Sequence, residues 1–184
     1  MIYILDCGST KTKFIHQMVD EYMECEIIPF FDFKEDELSN AMGIIISGAP
    51  ILVTEENMTP YLEASEWIKT LSIPLLGICF GHQLIGLHYG AISKKMKEDR
   101  ELQEVEVFES SKLFLRLPRI IHMKEDHCEF ISVPSGFKLL ASSDNCFHEA
   151  MEHLTKPVYG IQFHPEVSGN HGSIILENFI KTCV

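Results

Sequence analysis

A cysteine flanked by two glycines is the residue in this sequence best suited to nucleophilic chemistry. Cys79 stands in the segment Gly77-Ile78-Cys79-Phe80-Gly81-His82-Gln83, directly after an apolar run of strand length. A helix starting after Cys79 would favour the thiolate through its dipole and offer free N–H groups to an oxyanion. The glycines would let the backbone turn sharply and leave room for a substrate. The segment therefore predicts a nucleophilic thiol, and the alternative is a cysteine that only packs in the core.

A histidine and a glutamate two residues apart could supply the base for this thiol. They lie in the segment Gly160-Ile161-Gln162-Phe163-His164-Pro165-Glu166. In an extended chain His164 and Glu166 point to the same side, so Glu166 could orient the ring while His164 transfers protons. Because proline fits poorly in a central strand, the pair is expected at a strand end, where open α/β sheets hold their active sites. A surface histidine without a catalytic role is the alternative.

A short loop could complete the site. The segment Ser47-Gly48-Ala49-Pro50 follows a predicted strand, and the N–H of Ala49 could point toward the nucleophile. Together with the N–H of Phe80, it would form a two-donor oxyanion hole. Taken alone, the loop fits an ordinary turn at the end of a strand equally well.

Strand-length apolar runs alternate with helix-length periodic segments, which predicts the framework around these residues. Predicted strands cover residues 2–5, 26–29, 43–47, 75–78 and 160–163. Predicted helices run from the turn at 7–10 to about 24, from about 58 to 71, from 79 through 89, and over the C-terminal segment. Residues 91–147 are less regular, apart from one half-exposed strand around Val105. The order predicts an α/β fold with a mainly parallel sheet between two layers of helices, and residues 1–184 as one domain.

Composition excludes several classes of protein. The formal charge of -12 would repel phosphate backbones, so no nucleic-acid partner is expected. The apolar segments are too short to span a membrane, and the N-terminus reads as a strand rather than as a signal peptide. The six cysteines lie far apart with no C-x-x-C pair, which predicts reduced thiols in a cytoplasmic protein.

In this order the three motifs resemble those of the class I, triad-type glutamine amidotransferases, and the resemblance covers nearly the whole chain. The opening segment 4–9 and the ending from His164 to Phe179 are most similar to the glutaminase part of GMP synthase. The resemblance implies a flavodoxin-like fold and a catalytic triad of Cys79, His164 and Glu166. It also implies that L-glutamine binds beside Cys79, near Gly48, with the help of Gln83, and that a γ-glutamyl thioester forms.

The same resemblance bears on cofactors and partners. It implies no metal and no organic cofactor for this step. Members of the family pass their ammonia to a synthetase, and this sequence contains no such domain, so a separate synthetase chain is expected as the partner.

Some segments depart from the family's pattern. The usual Gly-Gly-Pro loop reads Gly48-Ala49-Pro50, and alanine resists the positive φ values that glycine accepts. Segments 100–103 and 124–127 do not match the Glu-Tyr-Gly and Ser-His-Gly-Asp patterns that contribute to substrate and partner contacts in GMP synthases. This divergence keeps open a stand-alone hydrolase that cuts other γ-glutamyl amides or peptides with the same triad.

Two further patterns suggest other chemistry, and neither is complete. The segment 6–12 resembles the phosphate-binding turn of sugar kinases and actin-like ATPases, but the chain is too short for the two lobes of those proteins. Cys79 and His82 have a ligand-like spacing, but no second pair accompanies them, and a structural zinc site needs four ligands.

Overall fold

Parallel strands joined by helices form the first half of the computed structural model, which describes residues 1–184. The strands are β1 (Ile2–Asp6), β2 (Cys25–Pro29), β3 (Gly43–Ile46), β4 (Leu75–Ile78), β5 (Ser93–Asp99), β6 (Leu102–Val107), β7 (Ile120–Lys124), β8 (His127–Ile131), β9 (Phe137–Ser143), β10 (Ala150–His153) and β11 (Val158–Ile161). The helices are α1 (Thr12–Asp20), α2 (Thr59–Ala64), α3 (Phe80–His88) and α4 (Gly169–Thr182). None of them combines the length and the apolar character needed to cross a membrane.

Nine strands share one sheet, in the order β2-β1-β3-β4-β11-β10-β9-β6-β7. The first five are parallel to their neighbours, and their order is that of flavodoxin-like folds. The last four continue the sheet as antiparallel neighbours, while β5 and β8 form a separate antiparallel pair. The predicted fold class is confirmed, and the irregular region 91–147 forms most of the antiparallel part.

Alternation along the parallel strands explains the layers on the two faces. Ile4 and Ile45 belong to the core packed against α1 and α4, whereas Leu5 and Ile46 belong to the core packed against α3. All four side chains are completely buried. Strand residues point alternately to opposite faces, so continuous apolar runs are what a sheet covered on both sides requires.

The structure corrects the bounds of two predicted helices. The first ends at Asp20 rather than near residue 24, and its buried face carries Ile15 and Val19. The segment 58–71 is not one helix: α2 ends at Ala64, and a 3₁₀ turn, Glu66–Lys69, follows. At the break, the Ser65 hydroxyl donates to the Tyr61 carbonyl (2.6 Å), a side-chain bond that competes with helix continuation.

The last parallel strand begins and ends two residues before the predicted range. Strand β11 pairs with β4 in a register that places Ile161 beside Ile78. Both strands therefore end at the same sheet edge, and Cys79 and Gln162 are the first residues beyond them. This shared edge positions the candidate site.

Candidate active site

Cys79 occupies a strained turn between β4 and α3. Its φ of 52° and ψ of -105° are rare for a residue with a side chain, and such conformations concentrate at functional sites. The Cys79 N–H donates to the Ile161 carbonyl (2.8 Å), and the Gly81 N–H donates to the Ser47 carbonyl (3.2 Å). These bonds tie the turn to β11 and to the end of β3, and the predicted strand-to-helix position of Cys79 is confirmed.

The two flanking glycines allow close packing rather than unusual backbone angles. A Cβ on Gly77 would lie 2.4 Å from the carbonyl carbon and oxygen of Gly81, and a Cβ on Gly81 would lie 2.3 Å from the Ile46 oxygen. Neither glycine has a positive φ. The strained angle belongs to Cys79 itself, and the glycines let the helix start directly against the sheet.

His164 and Glu166 form a buried pair just beyond β11. His164 Nδ1 lies 2.7 Å from Glu166 Oε1, and both side chains are almost entirely buried. The expectation of an extended segment is wrong, because Pro165–Val167 is a 3₁₀ turn that brings the carboxylate back toward the ring. The His164 N–H donates to the Lys124 carbonyl (2.9 Å), which fixes the base of the ring.

The position of Gly48 shows that cysteine, histidine and loop converge. A Cβ built on Gly48 would lie 3.2 Å from His164 Cε1 and 3.7 Å from the Cβ of Cys79. Burial alone would lower the pKa of His164, but the Cys79 thiolate and the Glu166 carboxylate raise it to about 10. The arrangement therefore favours a thiolate beside an imidazolium.

The two amides expected in the oxyanion hole are both available. The N–H of Ala49 donates to no group within the chain. Phe80 is the first residue of α3, so its N–H has no acceptor inside the helix. Neither Gly48 nor Ala49 has a positive φ, so alanine at the second position of the loop causes no backbone strain.

Gln162 is a site residue that the sequence analysis did not single out. Its side-chain Nε2 donates to the sulfur of Cys79 (3.5 Å), while its Oε1 accepts from Gln83 Nε2 (3.0 Å). Gln83 Nε2 also donates to the Glu129 carbonyl (3.3 Å). Gln162 stands two residues before His164, so the rule that alternate residues of an extended chain share a side was the signal that could have found it.

A cavity of about 480 Å³ opens beside Cys79. Its walls include the turn at 8–11 and the loop at 49–52, so the segment that resembles a phosphate-binding turn lies in this site. Lys11 Nζ lies 2.5 Å from Asp126 Oδ2, and Arg100 Nε lies 3.5 Å from the other oxygen of that carboxylate. The two segments that diverge from the family's pattern thus meet at the cavity.

Further acidic groups hold the walls of the cavity. The buried Glu129 carboxylate accepts from the N–H groups of Val53 (2.7 Å) and Thr54 (3.2 Å) and from the Thr54 hydroxyl, which fastens the loop after β3. Burial lowers the pKa of His127, but the Glu125 carboxylate beside it raises the value to about 9. His82, whose spacing from Cys79 resembles that of zinc ligands, packs edge-to-face against another histidine ring, 4.7 Å away.

Comparison with known proteins agrees with this geometry. The family model described as glutamine amidotransferase class-I matches residues 3–183. The chain is 38% identical over 191 residues to the glutamine-hydrolysing subunit of GMP synthase from Pyrococcus abyssi, covering 100% of this chain and 98% of the relative. The corresponding protein from Methanocaldococcus jannaschii is 39% identical over 189 residues, covering 100% and 97%.

Solved structures give the same result. A crystal structure from Thermoplasma acidophilum, described as a candidate GMP synthase subunit, superposes with a TM-score of 0.91 at 34% identity, covering 99% of this chain and 92% of that one. A glutamine amidotransferase from Thermotoga maritima superposes with a TM-score of 0.77, covering 98% and 82%, and at 19% identity it shows the fold alone. The chain belongs to the class I glutamine amidotransferase family.

Proposed function

We propose that this chain is the glutaminase subunit of a GMP synthase, which hydrolyses the side-chain amide of glutamine and passes the ammonia to a separate synthetase chain. The observation that carries the proposal is the buried His164–Glu166 pair beside Cys79, in a chain that matches glutamine-hydrolysing subunits of GMP synthase over nearly their full length. Residues 1–184 would act as one domain, since nine strands from both halves share a sheet. Six free cysteines fit a cytoplasmic location.

The first half of the reaction is acylation of Cys79. The thiolate adds to the side-chain carbonyl carbon of glutamine, and the N–H groups of Ala49 and Phe80 stabilise the oxyanion. His164 gives its Nε2 proton to the amide nitrogen, the C–N bond breaks and ammonia leaves. The product is a thioester between Cys79 and the γ-glutamyl group.

The second half is hydrolysis of that thioester. Neutral His164 removes a proton from water, and the resulting hydroxide attacks the thioester carbon. The C–S bond breaks, glutamate leaves, and the thiolate–imidazolium pair is restored. Glu166 stays ionised throughout, holding the ring through Nδ1 and stabilising its positive charge.

Glutamine recognition is assigned to Gln83 and to the charged groups at the cavity. Both N–H groups of Gln83 are donated within the protein, so its Oε1 is the atom left to accept a hydrogen bond from glutamine. Lys11 and Arg100 provide positive charge, while Glu98 and Asp126 provide negative charge, around the same cavity. An α-amino acid, which carries one carboxylate and one ammonium group, fits such a mixed environment.

The proposal is tested by supplying the synthetase chain of the same organism with glutamine or with free ammonium and measuring GMP formation. We expect the Cys79→Ala complex to form GMP from ammonium but not from glutamine. Glutamate release is measured in parallel on glutamine and on γ-glutamyl amides and peptides. A better rate on the latter, with no coupling to the synthetase, would favour the stand-alone hydrolase instead.

A further inference from the structure

Two strand connections bring a histidine, a cysteine and two glutamates together next to the cavity. His127 begins β8, Glu125 follows β7, and Cys146 and Glu149 lie between β9 and β10. The ligand atoms of His127, Cys146 and Glu149 all lie within 4.8 Å of one another, and Glu125 Oε2 lies 3.1 Å from His127 Nε2. All four residues are buried. We call them the His–Cys–Glu cluster.

Four polar atoms of this cluster have no hydrogen-bond partner. They are both carboxylate oxygens of Glu125, Oε2 of Glu149 and Nε2 of His127. The 3.1 Å approach of Glu125 to His127 has an angle that does not form a hydrogen bond. Buried polar atoms are nearly always paired, because leaving them unpaired costs their full desolvation. Such a concentration of unpaired ligand atoms in one place indicates a binding site.

The remaining atoms of the cluster are already held in place. His127 Nδ1 lies 2.8 Å from the Glu129 carbonyl oxygen, which leaves Nε2 to face the cluster. The Ser143 hydroxyl donates to Glu149 Oε1 (2.6 Å) and accepts from the Cys146 N–H (2.9 Å). Histidines that ligate metals characteristically bond a backbone carbonyl through the second ring nitrogen, and ligating carboxylates are likewise supported.

We propose that the His–Cys–Glu cluster binds one Zn²⁺ ion, with His127, Cys146, Glu149 and Glu125 as ligands. Nitrogen, sulfur and carboxylate oxygen are the ligands that zinc prefers, and four protein ligands without open solvent access describe a structural rather than a catalytic site. Magnesium and calcium prefer sets made only of oxygen atoms. Binding releases the Nε2 proton of His127 and the thiol proton of Cys146 to solvent, since both ligands bind deprotonated.

The ion would order one wall of the cavity. It would join the β7–β8 connection to the β9–β10 connection, two segments that β8 and β9 separate in the sequence. The β7–β8 connection carries Asp126, whose carbonyl oxygen lies 3.9 Å from the sulfur of Cys79 and whose carboxylate pairs with Lys11. Zinc would therefore rigidify the substrate cavity without touching the reacting atoms.

The test is a Co²⁺ titration of the full chain in a Cys79→Ala background, so that the active-site thiol cannot contribute. We expect one Co²⁺ per chain, with tetrahedral visible bands and a thiolate-to-cobalt charge-transfer band, both removed by equimolar Zn²⁺. Cys146→Ser should abolish the charge-transfer band, and Glu149→Gln, which keeps the bond from Ser143, should weaken binding at least about tenfold. Zn²⁺ should also raise the melting temperature of the background chain but not that of either variant.

Cys25→Ser is the matched control, because His16, Asp20 and Cys25 form a second, more exposed group of ligand atoms. That variant should bind Co²⁺ unchanged. Loss of the band in Cys25→Ser, its persistence in a folded Cys146→Ser chain, or the absence of Co²⁺ binding by the folded background chain would each overturn the proposal. If Cys146→Ser does not fold, the affinity of Glu149→Gln decides.

Discussion

His164 Nδ1 and Glu166 Oε1 lie 2.7 Å apart, buried together at the end of β11. Glu166 fixes the ring so that Nε2 is left for Cys79, and its charge stabilises the imidazolium. Since Glu166 and Cys79 raise the pKa of His164 from 6.5 to about 10, the imidazolium persists through neutral pH and is lost as the pH rises through the raised value.

Replacing Glu166 by glutamine should therefore move the alkaline limit of activity. Without the carboxylate charge, the pKa of His164 falls, so activity should decline at lower pH than in the unmodified chain. We also expect kcat to fall about 10- to 100-fold, within the range of acid–base groups. The measurement is kcat/KM for glutamate release against pH, and an unchanged alkaline limb in Glu166→Gln would contradict the role assigned to the pair.

Gln162 should stabilise the thiolate, because its Nε2 donates to the sulfur of Cys79. We expect Gln162→Leu to lower kcat about tenfold, the value of one hydrogen bond to a charged group, and to slow alkylation of Cys79 by iodoacetamide at neutral pH. Gln162→Glu should slow alkylation further, because a like charge then faces the sulfur. Equal alkylation rates in all three chains would refute this role.

Glu129 should act on substrate binding rather than on the chemical step. Its carboxylate holds the loop that carries Ala49 through the N–H groups of Val53 and Thr54. In Glu129→Gln one acceptor oxygen becomes a donor, so the loop should loosen and KM for glutamine should rise about tenfold. Glu55→Gln, which removes an exposed carboxylate paired with Lys95, is the control and should leave KM unchanged.

Gly81→Ala should test the close packing under the nucleophile. Its Cβ would lie 2.3 Å from the backbone oxygen of Ile46, so α3 must shift away from the sheet. We expect a loss of about 3 kcal/mol in the free energy of unfolding, measured by urea denaturation. Gly90→Ala meets no neighbouring atom but has a φ of +81°, so it should lose only about 1 kcal/mol. A smaller loss in Gly81→Ala than in Gly90→Ala would show that the packing argument is wrong.

The sequence predicts the triad because its members lie in short segments whose residue order is informative by itself. Cys79 lies between glycines at a strand end, and His164 is followed by Pro165 and Glu166. The parallel strands are predictable for a similar reason, since a run such as residues 44–46 is apolar at every position.

Other features depend on contacts between separate segments. The end of α2 follows from the hydroxyl of Ser65, whose bond to the preceding turn is not visible in a periodic pattern. Neither the loop clamp made by Glu129 nor the His–Cys–Glu cluster has a local signature. In the cluster, Glu125 and Glu149 meet only because antiparallel pairing brings two strand connections together.

Glutamate release from glutamine, by the chain alone and with its synthetase partner, tests the central claim most directly when Cys79→Ala is measured beside it. The mechanism predicts release that depends on Cys79, with the variant retaining the fold but losing all activity above background. Normal release by a folded Cys79→Ala chain would contradict the mechanism.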